Sequence, residues 1–314
     1  NKISINKSEK SSSPAGISVA KGAKLTIDNE LGQQGSIEVL NNTNVTRSGA
    51  AIGGNGEQDA GIIHIKGGTV SATSASKGAA IGASVGKSVE EIWISGGNVT
   101  AKSSGGAGIG TGGAFRNEER TGKIVIEGGT VNASSWSGAG IGSGFGYVPG
   151  SSAIIAKIEI HGGMITAYSG QGACIGSGKD SSSKVLIDGG TICLDNKNAT
   201  SRYAAHIGKG YESTQAPTDV TITGGTICLI GADRNIPRPI IYGWEKAGEK
   251  WQKNTAKDGN GKPVYFTTAD LTGIYENNTL VEKAGIEGSS YGFQDVRTDS
   301  NGKIYMYLPA SEAV

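Results

Sequence analysis

The sequence Ile124-Val-Ile-Glu-Gly-Gly-Thr-Val131, followed by Ala139-Gly-Ile-Gly142, contains the pattern that decides the fold. Each of these two motifs occurs six times, and the two alternate along the chain without exception. The first motif occupies 63–70, 92–99, 124–131, 158–165, 185–192 and 220–227. The second occupies 50–53, 79–82, 107–110, 139–142, 173–176 and 205–208. The chain is therefore built from a repeat with a mean interval of about 31 residues.

Within the repeat, β-branched residues alternate with other residues at period two, which is typical of strands. No stretch has helical spacing, and this excludes the ankyrin and TPR repeats of similar length. One strand before Gly-Gly, one after it and one at Ile-Gly make three strands per coil. Stacked coils pair like strands in parallel about 4.8 Å apart. The sequence therefore predicts an all-β parallel β-helix of about seven to eight coils.

The composition excludes several other classes of protein. Glycine supplies 53 of the 314 residues, but seven prolines and no strict Gly-X-Y period exclude collagen. A net charge of +1 with 18% charged residues argues against a charge-rich disordered chain and against a basic nucleic-acid binder. The charge balance therefore predicts no nucleic-acid partner. No apolar run approaches the length of a membrane span, so we expect no insertion into a membrane.

The alternation also predicts which side chains point inward. In the repeat around Ile124, the inward residues are Ile124 and Ile126, and the outward residues are Val125 and Glu127. Across coils the inward positions form four apolar columns, which we expect to be the core. They are 63/92/124/158/185/220, 65/94/126/160/187/222, 70/99/131/165/192/227 and 52/81/109/141/175/207.

The two motifs resemble the right-handed parallel β-helix repeats of Gram-positive bacterial cell-surface proteins, especially those of gut Firmicutes. The resemblance covers roughly residues 15 to 243 and implies a place in the pectate-lyase-like superfamily. It further implies a secreted or cell-surface protein, so we expect a part of a larger multidomain chain that is monomeric as a fragment. We predict a β-helix over 1–243 and a small C-terminal β-rich cap or domain over 244–314, with Gly302–Leu308 as its clearest strand.

One outward cluster has residue types suited to catalysis. Glu127, His161 and Asp188 are predicted to stack on successive coils, with Glu159 beside His161. Two coils separate Glu127 from Asp188, roughly 9.6 Å from strand spacing, near the upper limit for the two carboxylates of an inverting glycosidase. The alternative interpretation is an exposed ladder of charges on a solvated sheet face.

Aromatic residues lie on the variable loops that follow Ile-Gly. These residues are Phe115, Phe145, Tyr147, Tyr211 and Trp244, and we predict that they bind a ligand. Three more lie on the neighbouring side of the coil, namely Trp136, Tyr168 and Tyr203. Flat aromatic faces along a groove suit sugar rings. The alternative is that the rings cover the apolar stems of their own loops.

The three cysteines form no CxxC or Cys/His metal spacing. Cys193 and Cys228 are predicted to point outward one coil apart, either as a bridge or as members of a small and polar column. Cys174 and His206 share a column otherwise filled by Ala and Gly, and two ligands are too few for a metal site. We therefore predict no cofactor. Calcium binding by carboxylate oxygens stays an alternative for the acidic residues on the loops. These residues are Glu57, Asp59, Glu118, Glu119, Asp180 and Glu212.

The first functional hypothesis is a non-enzymatic extracellular solenoid, a structural stalk or a binding module for a polysaccharide or host glycan. The alternative is a β-helix carbohydrate-active enzyme, a glycoside hydrolase or polysaccharide lyase, that uses Glu127, Glu159, His161 and Asp188. A third hypothesis is ice binding through a flat outward column. That column is irregular, since it reads Ser71, Thr100, Asn132, Thr166, Cys193 and Cys228.

Overall fold

A computed structural model describes most of the repeat region and six strands beyond it. The described residues are 2–7, 14–29, 35–43, 48–56, 58–114, 120–146, 154–195, 204–210, 218–230, 244–247, 250–253, 264–270, 275–276, 279–280 and 303–309. These residues form 26 β-strands and no helix. Accordingly, this part of the chain contains no helix that is long and apolar enough to cross a membrane.

Three sets of strands build the coils. Four strands that precede Gly-Gly form the pre-corner face together with β3 (Lys24–Ile27), which pairs with the first of them. The four are β6 (Ala60–Ile65), β9 (Val89–Ile94), β12 (Arg120–Ile126) and β15 (Ile154–Ile160). The four strands that follow Gly-Gly are β7 (Thr69–Ser74), β10 (Asn98–Ser103), β13 (Thr130–Ser135) and β16 (Met164–Ser169). They form the post-corner face together with β1 (Lys2–Lys7) and β4 (Ser36–Asn41), which stack in parallel on β7.

The third set contains two-residue strands, six of which lie at Ile-Gly. These are β2 (Ile17–Ser18), β5 (Ile52–Gly53), β8 (Ile81–Gly82), β11 (Ile109–Gly110), β14 (Ile141–Gly142), β17 (Ile175–Gly176) and β19 (Ile207–Gly208). They form a separate seven-stranded parallel sheet. Like strand pairs with like strand throughout the repeat region, so the fold is the predicted all-β, right-handed parallel β-helix.

The number of regular coils is smaller than predicted. Five coils have three separate strands, from β2–β3–β4 to β14–β15–β16, against the seven to eight expected. In the next two, β18 (Ser182–Asp195) and β20 (Thr218–Ile230) each run through the Gly-Gly corner as one strand. The register shifts on both sides of Asp188 because the backbone keeps pairing through the corner. This pairing joins the pre-corner and post-corner faces into one 15-stranded sheet.

All four predicted apolar columns lie in the core. The isoleucines of the Ile-Gly strands are fully buried, and so are those at 63, 92, 124 and 158. Their Cα atoms pair across coils in the predicted register, for example Ile109 with Ile81 and Ile141. Identical side chains therefore stack along the axis, and burial of this apolar surface is the main stabilising contribution.

A polar ladder closes the corner after the post-corner strands. The Ser135 hydroxyl donates to the Gly106 carbonyl oxygen at 2.7 Å and accepts from the Gly138 N–H at 3.0 Å. The Ser169 hydroxyl repeats the arrangement with Gly138 and Gly172 one coil later. These buried hydroxyls satisfy backbone groups that the turn leaves without strand partners. Sequence analysis missed the ladder, although a serine stands five residues after the first strand position in four successive repeats.

The C-terminal segment is rich in β-strands. It contains β21 (Trp244–Ala247), β22 (Lys250–Lys253), β23 (Val264–Asp270), β24 (Tyr275–Glu276), β25 (Thr279–Leu280) and β26 (Lys303–Pro309). β26 pairs antiparallel with both β20 and β23. The parallel stacking of coils thus gives way to antiparallel pairing beyond β20. The division into domains at residue 243 stays a prediction.

The Ile-Gly turn tolerates no side chain at its glycine. Gly142 has φ +136°, and a Cβ there would clash with the carbonyl oxygen of Gly176 in the next coil. We expect Gly142→Ala to lower the free energy of unfolding by about 3 kcal/mol or more, because strain and the clash act together. Gly35→Ala is the control, since a Cβ at Gly35 meets nothing within 4 Å. Chemical denaturation measures both, and equal stability of the two variants would contradict this account of the turn.

Candidate functional site

The four predicted catalytic residues lie on the pre-corner face, but the structure gives them separate partners. His161 Nδ1 lies 2.7 Å from Asp188 Oδ1, so these two residues form a pair. Glu127 Oε2 instead accepts a hydrogen bond from Trp93 Nε1 at 2.8 Å. Glu159 Oε1 forms an ion pair with Lys157 Nζ at 2.6 Å. The carboxylates therefore form a ladder of individual contacts along the sheet.

The electrostatics of Glu159 do not suit a general acid. The hydrogen bond and charge of Lys157 lower the pKa of the Glu159 carboxyl, and Lys123 and His161 lower it further. A general acid at neutral pH needs a carboxyl whose pKa is raised. Glu159 is thus an ionised member of a charge ladder.

An aromatic stack that sequence analysis missed lies beside Glu127. The rings of His64 and Trp93 are 3.9 Å apart between centroids and 6° from parallel. His64 Nε2 lies 3.0 Å from the Ser95 hydroxyl, and the Trp93 N–H reaches Glu127. The signal was present in the sequence, since His64 and Trp93 occupy one outward column on adjacent coils. Only the side-chain conformations show that the rings stack.

The post-corner face has a groove. Lys102, Ser134, Tyr168 and Asp195 are Cα partners in four successive coils, so they line up along the solenoid axis. They line a cavity of about 220 Å³ together with the outward residues two positions earlier in the middle strands, Asn132 and Thr166. The small Ser134 lies between the long Lys102 and Tyr168 side chains, which leaves room for the groove.

Trp136 follows the groove residue Ser134 by two positions, just after the end of β13. Trp136 is an exposed aromatic residue within the described repeats, with a relative solvent exposure of 49%. A Cβ added to Gly170 in the next coil would meet Trp136 Cε3 at 3.0 Å and Cδ2 at 3.2 Å. One side of the ring therefore rests on the Gly170 backbone, while the rest faces outward.

Of the five aromatic residues predicted to bind a ligand, the structure places the side chain of Phe145. The Phe145 ring is half-buried, and Lys179 Nζ lies 5.4 Å from its centroid, which is a cation–π contact. Phe115, Tyr147 and Tyr211 lie outside the described residues. Trp244 begins β21, and its side chain also lies outside them.

The cysteines are placed in two environments. Cys174 and His206 are fully buried, with Sγ 3.4 Å from Nδ1. Cys193 is buried, and its Cα partners in the neighbouring strands are Thr166 and Cys228. Cys193 and Cys228 are Cα partners as predicted, but the side chain of Cys228 lies outside the described residues.

The two candidate calcium ligands that the structure describes already have cationic neighbours. Asp59 accepts from the Ser88 N–H at 3.0 Å and pairs with Lys21 at 3.3 Å. Asp180 is buried, with its carboxylate 3.9 Å from Lys179 Nζ. Glu57, Glu118, Glu119 and Glu212 lie outside the described residues. Among residues that the structure describes, no group of three or more His, Cys, Asp or Glu side chains converges on a metal position.

Comparison with known proteins supports the repeat and the fold. A family model described as a beta helix repeat matches residues 63–85, 92–113, 124–145 and 158–179. Each match begins in a pre-corner strand and ends shortly after the next Ile-Gly turn, so it includes the Gly-Gly corner, the post-corner strand and the Ile-Gly strand that follow. No curated protein and no solved structure matches the chain. The chain therefore contains a parallel β-helix repeat region.

The buried His64 makes folding sensitive to acid. Burial lowers the pKa of His64 from its ordinary value of 6.5, and the charges of Lys24 and Lys66 lower it further against weaker opposing effects of Glu127 and Asp28. Between the lowered folded-state pKa and pH 6.5, His64 is protonated in the unfolded chain but neutral in the folded chain. The stability contributed by neutral His64 is present above pH 6.5 and is lost as the pH falls through the lower folded pKa.

We expect His64→Phe, which keeps a ring against Trp93, to lose less thermal stability than the parent between about pH 8 and about pH 5. Thermal unfolding followed by circular dichroism at both pH values measures the difference. His161, His206 and the carboxylates are common to both proteins, so their contributions cancel. Equal losses of stability in the two proteins would show that His64 is not responsible.

Proposed function

We propose that this chain is a non-catalytic carbohydrate-binding solenoid of an extracellular or cell-surface protein. Its ligand is a polysaccharide or a host glycan, and the β-helix is the rigid support that presents the binding surface. The surface location and the Gram-positive origin rest on the resemblance of the repeat motifs. The binding function rests on the post-corner face.

The observation that carries the proposal is the groove between Lys102 and Asp195, with the exposed Trp136 just after the end of β13. Sugar-binding sites combine aromatic faces, which stack against the apolar faces of sugar rings, with a few polar groups that bind hydroxyls. The groove offers both, since Tyr168 lines it along with Asn132 and Thr166. Tyr168, Asn132 and Thr166 belong to regular strands, which hold their side chains in fixed positions.

The pre-corner face supports a non-catalytic role. Each of its candidate carboxylates is engaged by a different neighbour, Trp93 for Glu127, His161 for Asp188 and Lys157 for Glu159. The alternative of a glycoside hydrolase or polysaccharide lyase draws on the short contact between His161 and Asp188, an arrangement that also orients a general base. A turnover measurement separates the two functions.

We expect the protein to bind members of a glycan array and to release no oligosaccharide from a panel of polysaccharides. Binding is read from the array, and product release is read by reducing-end assay and mass spectrometry. The double variant Glu127→Gln/Asp188→Asn is the control, and we expect it to bind like the parent. Products that the parent releases and the double variant does not would establish the enzyme instead.

A further inference from the structure

We infer that the post-corner groove binds a charge-neutral, unbranched glycan chain that lies along the solenoid axis, with Trp136 as its stacking platform. The inference rests on the proposed carbohydrate-binding function and adds the site and the class of ligand. The observations that carry it are the direction of the groove, the charges at its ends and the packing of Trp136.

The direction follows from the register of the strands. Lys102, Ser134, Tyr168 and Asp195 hold the same position in β10, β13, β16 and β18. Three strand spacings of about 4.8 Å separate the first from the last, roughly 14 Å along the axis. Across the axis, the lining extends over two strand positions, roughly 7 Å. The long dimension of the groove is therefore the solenoid axis, and an extended ligand lies across the strands.

The charges at the two ends of the groove favour a neutral ligand. Lys102 supplies a positive charge at one end, and Asp195 supplies a negative charge at the other. The lining therefore carries one formal charge of each sign and no net charge, which suits a neutral chain better than a polyanion or a polycation. Hydroxyl groups suit both ends, because they accept from an ammonium and donate to a carboxylate. The lining between them includes the uncharged Asn132, Ser134 and Thr166.

The packing of Trp136 prepares the ring for stacking. Its ring rests against the backbone of Gly170, where a side chain would collide with it and with the Trp136 carbonyl oxygen. A ring already held against the surface loses little conformational freedom when a sugar stacks on its free side. Gly170 is thus a positioning residue, and Trp136 is the residue that contacts the ligand.

The test measures binding of the full chain to three linear probes by isothermal titration calorimetry. The probes are a neutral cello-oligosaccharide, an anionic oligogalacturonate and a cationic chitosan oligomer. We expect the neutral probe to bind with an affinity that changes little when salt is added, because a neutral ligand forms no ion pair with the protein. We expect Trp136→Ala to weaken this binding about tenfold or more, and Ser134→Arg to abolish it by filling the groove.

A matched variant separates blocking of the groove from a general effect of a new arginine. Thr73 is the Cα partner of Lys102 in β7, so Thr73→Arg adds the same side chain one coil beyond the groove. We expect Thr73→Arg to bind like the parent. Melting temperatures establish that each variant is folded, and Trp136→Ala, at an exposed site, keeps the test valid if Ser134→Arg does not fold.

The outcomes distinguish the site and ligand class from the proposed function. If the parent binds the neutral probe and Trp136→Ala binds equally well, the assignment of the site is overturned while carbohydrate binding stands. If only a charged probe binds, the ligand class is overturned. If no probe binds here and no glycan binds on the array, the proposed function itself fails.

Discussion

The rest of the structure depends on a steric constraint, which is the close approach of the backbones of adjacent coils at the Ile-Gly turn. There the glycine of one coil faces the carbonyl oxygen of the corresponding glycine in the next coil, and no Cβ fits between them. Positive φ angles between +110° and +137° repeat at this position from Gly53 to Gly208. The turn therefore fixes both the spacing and the register of the coils, and the isoleucine columns stack because this turn aligns them.

Once the coils are aligned, the exterior is also ordered. Each outward position becomes a column, and a substitution in one coil changes one place in that column without disturbing the core. The two exposed faces use this freedom differently. On the pre-corner face, Trp93 stacks on His64 of the preceding coil and donates a hydrogen bond to Glu127 of the next one. On the post-corner face, the small Ser134 interrupts a column of longer side chains and opens a groove.

The core could be predicted from the sequence because inward and outward positions alternate with period two, and every column followed from aligning the motifs. The contacts between side chains on the exterior could not be predicted in this way. The sequence places Glu127, His161 and Asp188 in one column, but side-chain conformations decide that Glu127 contacts Trp93 and that His161 contacts Asp188. The continuous strands β18 and β20 were also missed, because a Gly-Gly pair marks a turn without specifying whether strand pairing persists through it.

The candidate site was only partly accessible to sequence analysis. Trp136 and Tyr168 were identified as neighbours on one side of the coil, but the groove depends on the size of Ser134 between them and Lys102. Phe145, chosen for its loop position, has Lys179 against its ring. Ligand binding by the aromatic residues of the variable loops stays a prediction.

The alignment of Lys102, Ser134, Tyr168 and Asp195 has a further consequence for how such a protein diversifies. A solenoid grows by duplication of whole coils, and each added coil lengthens an outward groove by one strand spacing of about 4.8 Å. A polymer ligand is itself a periodic object. Under the proposed glycan binding, the number of coils would therefore set the length of polymer that the groove accommodates, without any change to the fold.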